Sequence, residues 1–314
     1  MKLGVVGTLV WDTIHGRDPA RGAVEEWGGI AYALAGLDAA LDDDWRLVPL
    51  IKVGRDLAPR AGDFLREVRL AVPAARFLEV PEPNNRVTLR YLSAERRCEQ
   101  LVGGVPGWTW AELGPLVHDL DALYVNFISG WEMRLETAQL LRRGFRRPIY
   151  ADLHSLFLGC TADGTRVLQP LPEAGGWFAC FDTVQLNEDE FAQLGPDPLA
   201  VAASALAVGC GALIVTLGVR GAVYFEQETD AATHRRTGPI RTARVAVAAP
   251  PPLVVEGDPT GCGDVFGAVT CAQLLHGAPL DAAIREGCRL AARNVTYRGA
   301  SGLRDHLLGR LATA

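Results

Sequence analysis

Lysine is almost absent from this chain of 314 residues, occurring only at Lys2 and Lys52. A nucleotide-binding P-loop needs a lysine directly after its glycine run, and no GxxxxGK[ST] string is present, so that class of site is excluded. The cysteines, Cys98, Cys160, Cys180, Cys210, Cys262, Cys271 and Cys288, are scattered, with no CxxC pair and no Cys/His pair at zinc spacing. Neither disulfides nor structural zinc are expected, and reduced core thiols suit the cytoplasm. No apolar run reaches the roughly 18 residues of a membrane span, and the opening MKLGVVGTLVWDTI lacks a signal-peptide pattern. A soluble cytoplasmic protein without a membrane partner is the expectation. Excess positive charge is missing too. A net charge of −6 and a pI near 5.6 argue against a nucleic-acid partner, which leaves Arg142, Arg143, Arg146 and Arg147 as a solvated helix end.

What is present is apolar sequence in alternating form. About half the residues are apolar, enough for one large core or for one core with a small accessory unit. Strand-like runs recur at LGVVGTLV (3–10), RLVPLIKVG (46–54), ALYVNFI (122–128), PIYADL (148–153), TVQLN (183–187), ALIVTLG (212–218) and AVYFE (222–226). Helical stretches are expected at 30–41, 56–67, 135–143, 188–194 and 198–208, and two more, at 264–276 and 280–297, close the chain. This alternation predicts a doubly wound, mainly parallel sheet flanked by helices, with a ligand crevice at the carboxyl ends of the strands. The stretch RVTLRYLSAERRCEQLV (86–102) departs from it and reads as a hairpin around a polar turn at 93–96. A polar excursion at 12–27 could pair with it as a small sheet outside the main one.

The densest chemistry lies at 254–275, VVEGDPTGCGDVFGAVTCAQLL, where a glycine-rich turn and an acid open a helix. Gly261 and Gly263 let backbone approach a ligand closely, and the unpaired amides and dipole of the helix favour an anion there. Asp264 would stand beside that anion, although the dipole alone also favours Asp in a first turn. Asn187 and Glu190 in QLNEDE satisfy the spacing of a capping box. Gly261, Gly263 and Gly267 also spell a GxGxxxG string, but late in the chain rather than in a first βαβ unit, which argues against a dinucleotide-dependent oxidoreductase.

The string GDPTGCGD resembles the DTxGAGD signature of ribokinase-like (PfkB) carbohydrate and nucleoside kinases, with Cys262 in place of the usual Ala. The resemblance implies a ribokinase-like fold over residues 1–314, with a discontinuous β lid at 12–29 and 84–104. It implies ATP and Mg2+ as cofactors and transfer of a phosphoryl group to a hydroxyl, a primary alcohol, of a sugar or nucleoside. Asp264 would be the base, with Gly261, Cys262 and Gly263 as the anion hole. Asn187 and Glu190 match an NxxE element, Glu190 organising Mg2+ through water. Thr216, Gly218 and Gly221 of VTLGVRGAVYF match a TLGxxG turn near the nucleotide. Asp12, Gly28 and Gly29 match acceptor-binding positions, and Tyr32, close to where the family keeps an Asn, would stack on an apolar or ring substrate unless it is a core residue of its helix. Asp258 and Ser301, in RGASG (298–302), would supply a K+ site.

The family's DxNxR segment falls on YADLHS, where His154 replaces the Asn and the Arg is missing, so Asp152 and His154 line the site without an assigned catalytic role. A homodimer through the lid also follows from the resemblance. The missing Asn and Arg keep a second function open, a sugar- or nucleoside-binding sensor on a kinase fold.

Overall fold

The first apolar run forms a strand longer than its sequence suggests. In the computed structural model, which describes residues 1–15, 22–72, 77–91, 97–229, 236–245 and 259–311, β1 spans Lys2–His15. Burial is unbroken from Leu3 to Val10 and then alternates through Trp11, Asp12, Thr13 and Ile14. That switch marks where the strand leaves a sheet covered on both faces for a ribbon covered on one.

The chain continues through β2 (Val24–Gly29), α1 (Ile30–Ala40), β3 (Arg46–Gly54), α2 (Ala58–Glu67), β4 (Leu78–Val80), β5 (Arg86–Tyr91) and β6 (Arg97–Val102). Then come α3 (Trp110–Val117), β7 (Ala122–Asn126), α4 (Leu135–Gly144), β8 (Ile149–Asp152), β9 (Leu158–Cys160), β10 (Arg166–Leu168), α5 (Ala174–Phe178) and β11 (Thr183–Asn187). The last elements are α6 (Glu188–Ala192), α7 (Pro198–Ala207), β12 (Ala212–Thr216), β13 (Ala222–Thr229), β14 (Arg236–Val245), α8 (Cys262–Leu275), α9 (Leu280–Asn294) and α10 (Leu303–Leu307).

The main sheet runs β14-β13-β12-β11-β8-β7-β1-β3-β4, parallel from β12 to β4 with β13 and β14 antiparallel at one edge. Successive side chains of β1 enter different cores. Val5 packs with α1, α8 and α9, whereas Val6 packs with α4, α5 and α7 on the other face. This is the expected ribokinase-like α/β architecture. Among the described residues no helix is long and apolar enough to cross a membrane.

The outer half of β1 pairs antiparallel with β2 and parallel with β5, and β5 pairs with β6, giving a small ribbon in the order β2-β1-β5-β6. The hairpin at 86–102 therefore forms, with its turn outside the described residues. Asn84 and Asn85, both fully buried, tie the ribbon's root to the body. The Asn84 side chain accepts from the Gly54 amide and donates to the Leu9 carbonyl, while the Asn85 carbonyl accepts from Trp11.

Helix α3 has no counterpart in the sequence reading. Thr109 and Glu112 form a complete capping box, a start signal strong enough to outweigh Gly114 and the internal Pro115. Helix α8 starts two residues earlier than expected, at Cys262, and α2 starts two residues later, at Ala58, with Pro59 in its first turn.

Candidate active site

Four parallel strands end at polar residues on one side of the sheet: β7 at Asn126, β8 at Asp152, β11 at Asn187 and β12 at Thr216. Helix α8 begins over these ends. Its N-cap, Gly261, has φ +76° and ψ 0°, a left-handed conformation that glycine adopts without the penalty other residues incur. A Cβ at this position would overlap the ring of Tyr32. Tyr32 is buried in α1 with its ring against this turn.

The Cys262 amide is engaged by the Pro259 carbonyl, whereas the amides of Gly261 and Gly263, the latter an exposed residue, have no hydrogen-bond partner among the described residues. Cys262 points the other way, where the buried Asn294 donates to its Sγ and to the Thr260 carbonyl.

Asp264 stands in the first turn of α8, and its Oδ1 accepts from Asn126 Nδ2 at 2.7 Å. Asn126 is fully buried, and among the described residues its Oδ1 has no hydrogen-bond partner while its Nδ2 donates to this carboxylate. Next to it, Gln185 Nε2 donates to both the Gly263 carbonyl, at 3.1 Å, and Asp152 Oδ2, at 2.8 Å. Its Oε1 accepts from Tyr150 at 2.8 Å. Asp152 Oδ1 in turn accepts from the His154 amide and meets His154 Nδ1, both at 3.1 Å. Asn126 and Gln185 escaped the sequence reading; the only signal was a polar side chain inside an otherwise apolar strand.

Asn187 and Glu190 do form the capping box, the Asn187 side chain accepting from the Glu190 amide and Glu190 from the Asn187 amide. Capping does not exhaust Glu190, which is 3% exposed. Burial pushes its carboxyl up to about 7, against the opposing pull of the His154 charge. The folded state therefore holds this proton more tightly than the unfolded chain, and the stability so gained is full below pH 4.5 and lost as pH rises to about 7. Glu190→Gln should then gain in melting temperature relative to the parent between pH 5 and pH 8 in metal-free buffer. An unchanged difference across that range would contradict the assignment.

Thr216 and Gly218 lie together at the end of β12, and Gly221 makes the turn into β13. Asp12 is 3% exposed in β1, and Gly28 of β2, the register partner of Val10, lies diagonal to it, where a Cβ would strike the Asp12 carboxylate. Gly29 caps α1, three residues before Tyr32, so Gly28 and Gly29 adjoin the Gly261 turn through one turn of helix. Ser301 donates its hydroxyl to Glu26 of β2 at 2.9 Å, and its carbonyl accepts from Tyr297 at 2.6 Å. Asp258 lies outside the described residues.

A long parallel sheet with an appended ribbon, and a glycine turn presenting an acid at its strand ends, define the ribokinase-like class of α/β proteins. The structure of a pyrophosphate-dependent kinase in the ribokinase family, complexed with a pyrophosphate analog and myo-inositol, aligns with a TM-score of 0.74 at 16% identity, covering 99% of this chain and 100% of that one. A nucleoside kinase from Burkholderia thailandensis in complex with inosine aligns at 0.71 and 18%, covering 99% and 97%. Ribokinase from Arabidopsis thaliana, complexed with ribose and ATP, aligns at 0.69 and 16%, covering 99% of each chain. A search of curated protein sequences returned no match. The pfkB family carbohydrate kinase profile matches residues 167–306, a stretch that includes the glycine turn and Asp264. Over residues 167–306 the chain is similar to the pfkB family of carbohydrate kinases, and its fold is ribokinase-like.

Proposed function

We propose that this chain is an ATP-dependent phosphotransferase that phosphorylates a hydroxyl, a primary alcohol, of a sugar or nucleoside. The observation that carries the reading is the Asp264 carboxylate, fixed by Asn126 beside an exposed glycine turn at the strand ends. In the proposed reaction Asp264 accepts the proton of the acceptor hydroxyl as that oxygen bonds to the transferred phosphorus and the bond to the donor oxygen breaks. The Gly261 and Gly263 amides donate to the phosphoryl oxygens, where charge is spread in a loose transition state. Asp12, beside Gly28 and Gly29, binds acceptor hydroxyls, and the ribbon of β2, the outer half of β1, β5 and β6 closes over them to exclude water.

Among the described residues no group of three or more His, Cys, Asp or Glu could cage a metal ion. That suits Mg2+, which keeps water and substrate phosphates as most of its ligands. Glu190 fits the supporting role, since its buried carboxyl gains most from a nearby cation. When bound, the ion would supply charge neutralisation at the donor phosphates.

The similarity to pyrophosphate-dependent kinases gives a specific reason to test the donor. Acceptor-dependent release of ADP from ATP, measured for sugars, nucleosides and cyclitols with Mg2+ and with or without K+, is the expected result. Turnover with pyrophosphate alone would replace ATP as the donor, and binding of an acceptor without turnover from either donor would favour the sensor.

A further inference from the structure

We propose that His154 is a catalytic residue of the phosphoryl-transfer site, its imidazolium oriented by Asp152 and its Nε2 directed at the phosphoryl group that passes from donor to acceptor. The inference rests on the kinase reading above and assigns the residue that the family pattern leaves unexplained.

The geometry begins at the end of β8. Asp152 is 2% exposed, and its two oxygens are divided between His154 and Gln185. Gln185 continues to the Gly263 carbonyl, so the ring is tied through two side chains to the turn that forms the anion hole. With Nδ1 held by a carboxylate, that nitrogen carries a proton and Nε2 is left without a hydrogen-bond partner among the described residues. The side chain is 30% exposed while the Asp152 carboxylate beneath it is 3% exposed, so the ring is the part that meets solvent.

Charge points the same way. Burial alone would lower the basicity of His154, but Asp152, followed by Asp264 and Glu190, raises it to about 10. Three carboxylates around a site for a transferring phosphate would repel it, and a fixed cation among them offsets that repulsion where it matters most. Neither lysine serves. Lys52 is paired with Glu112 and the Gly107 carbonyl, and Lys2 lies at the amino end of β1, opposite the strand ends that carry the site.

The test compares the full-length parent with His154→Gln, His154→Arg and Asp152→Asn in two measurements. The first is calorimetric binding of inorganic pyrophosphate in metal-free buffer. His154→Gln should weaken it by about tenfold or more, and His154→Arg should restore it. The second is steady-state phosphorylation of the best acceptor. His154→Gln should lower kcat by about 10²-fold with acceptor KM within about threefold, His154→Arg should recover part of the loss, and Asp152→Asn should fall between. Cooperative melting of each variant separates these effects from unfolding, and if His154→Gln does not fold, the Arg and Asn variants carry the comparison. A parent that does not bind pyrophosphate, or a His154→Gln protein that binds and turns over as the parent does, overturns the assignment and leaves the kinase reading standing. Binding that depends on His154 in a parent without turnover from either donor overturns the catalytic role together with the kinase reading and leaves His154 as a pyrophosphate contact.

Discussion

Asp264→Asn should reduce kcat for acceptor phosphorylation by about 10³-fold, a loss of about 4 kcal/mol of transition-state stabilisation. The substitution is nearly isosteric, and the contact with Asn126 survives because the amide oxygen still accepts from Asn126 Nδ2. Melting temperature and acceptor KM should therefore stay close to the parent's, since only the ability to take a proton is removed. A loss of kcat and KM together, or a fall in stability, would mean that Asp264 shapes the turn rather than the chemistry. A variant with the parent's kcat would remove Asp264 from the mechanism.

Gly261→Ala should act on stability and rate at once. A residue with a side chain incurs about 1–2 kcal/mol at a left-handed position. Here the added methyl also meets the ring of Tyr32, which is 2% exposed in α1. A domain of this size should lose several degrees in melting temperature. The larger effect is on catalysis. To clear the ring the turn must move, and with it the Gly263 amide and the first turn of α8, so kcat should fall by about 10²-fold or more. Circular-dichroism melting and steady-state kinetics on the same preparation check both halves. Unchanged kinetics with lowered stability would show that the amides at this turn do not bind the reacting phosphate.

The glycine turn and the Asn187–Glu190 cap were legible in the sequence because their geometry is local. Gly261, Gly263 and Asp264 sit within four residues, and Asn187 and Glu190 within another four, so spacing alone exposed the turn and the cap. Asn126 and Gln185 come from two strands whose proximity to α8 exists only after the sheet has formed. Each looks like an isolated polar residue in an apolar run until its partner arrives from elsewhere. Capping produced a similar split. The Thr109 and Glu112 box starts α3 in the face of Gly114 and Pro115, whereas Asn187 and Glu190 cap α6 and leave a buried carboxylate over the strand ends. Tyr32 shows the limit of reading a helix by residue type, since its role depends on which turn packs against it. The length of β1 was hidden for a related reason. Its outer half alternates because the ribbon covers one face only, and the sequence there resembles a polar loop.

The central claim is transfer of a phosphoryl group to an acceptor hydroxyl with Asp264 as the base. Phosphorus NMR of a reaction containing the parent protein, ATP, Mg2+ and a panel of sugars, nucleosides and cyclitols tests it most directly. The account predicts a new phosphate monoester resonance that grows as ADP accumulates and is absent when Asp264→Asn replaces the parent. Acceptor binding without any phosphate ester from ATP or pyrophosphate, or an ester formed equally fast by Asp264→Asn, would contradict it.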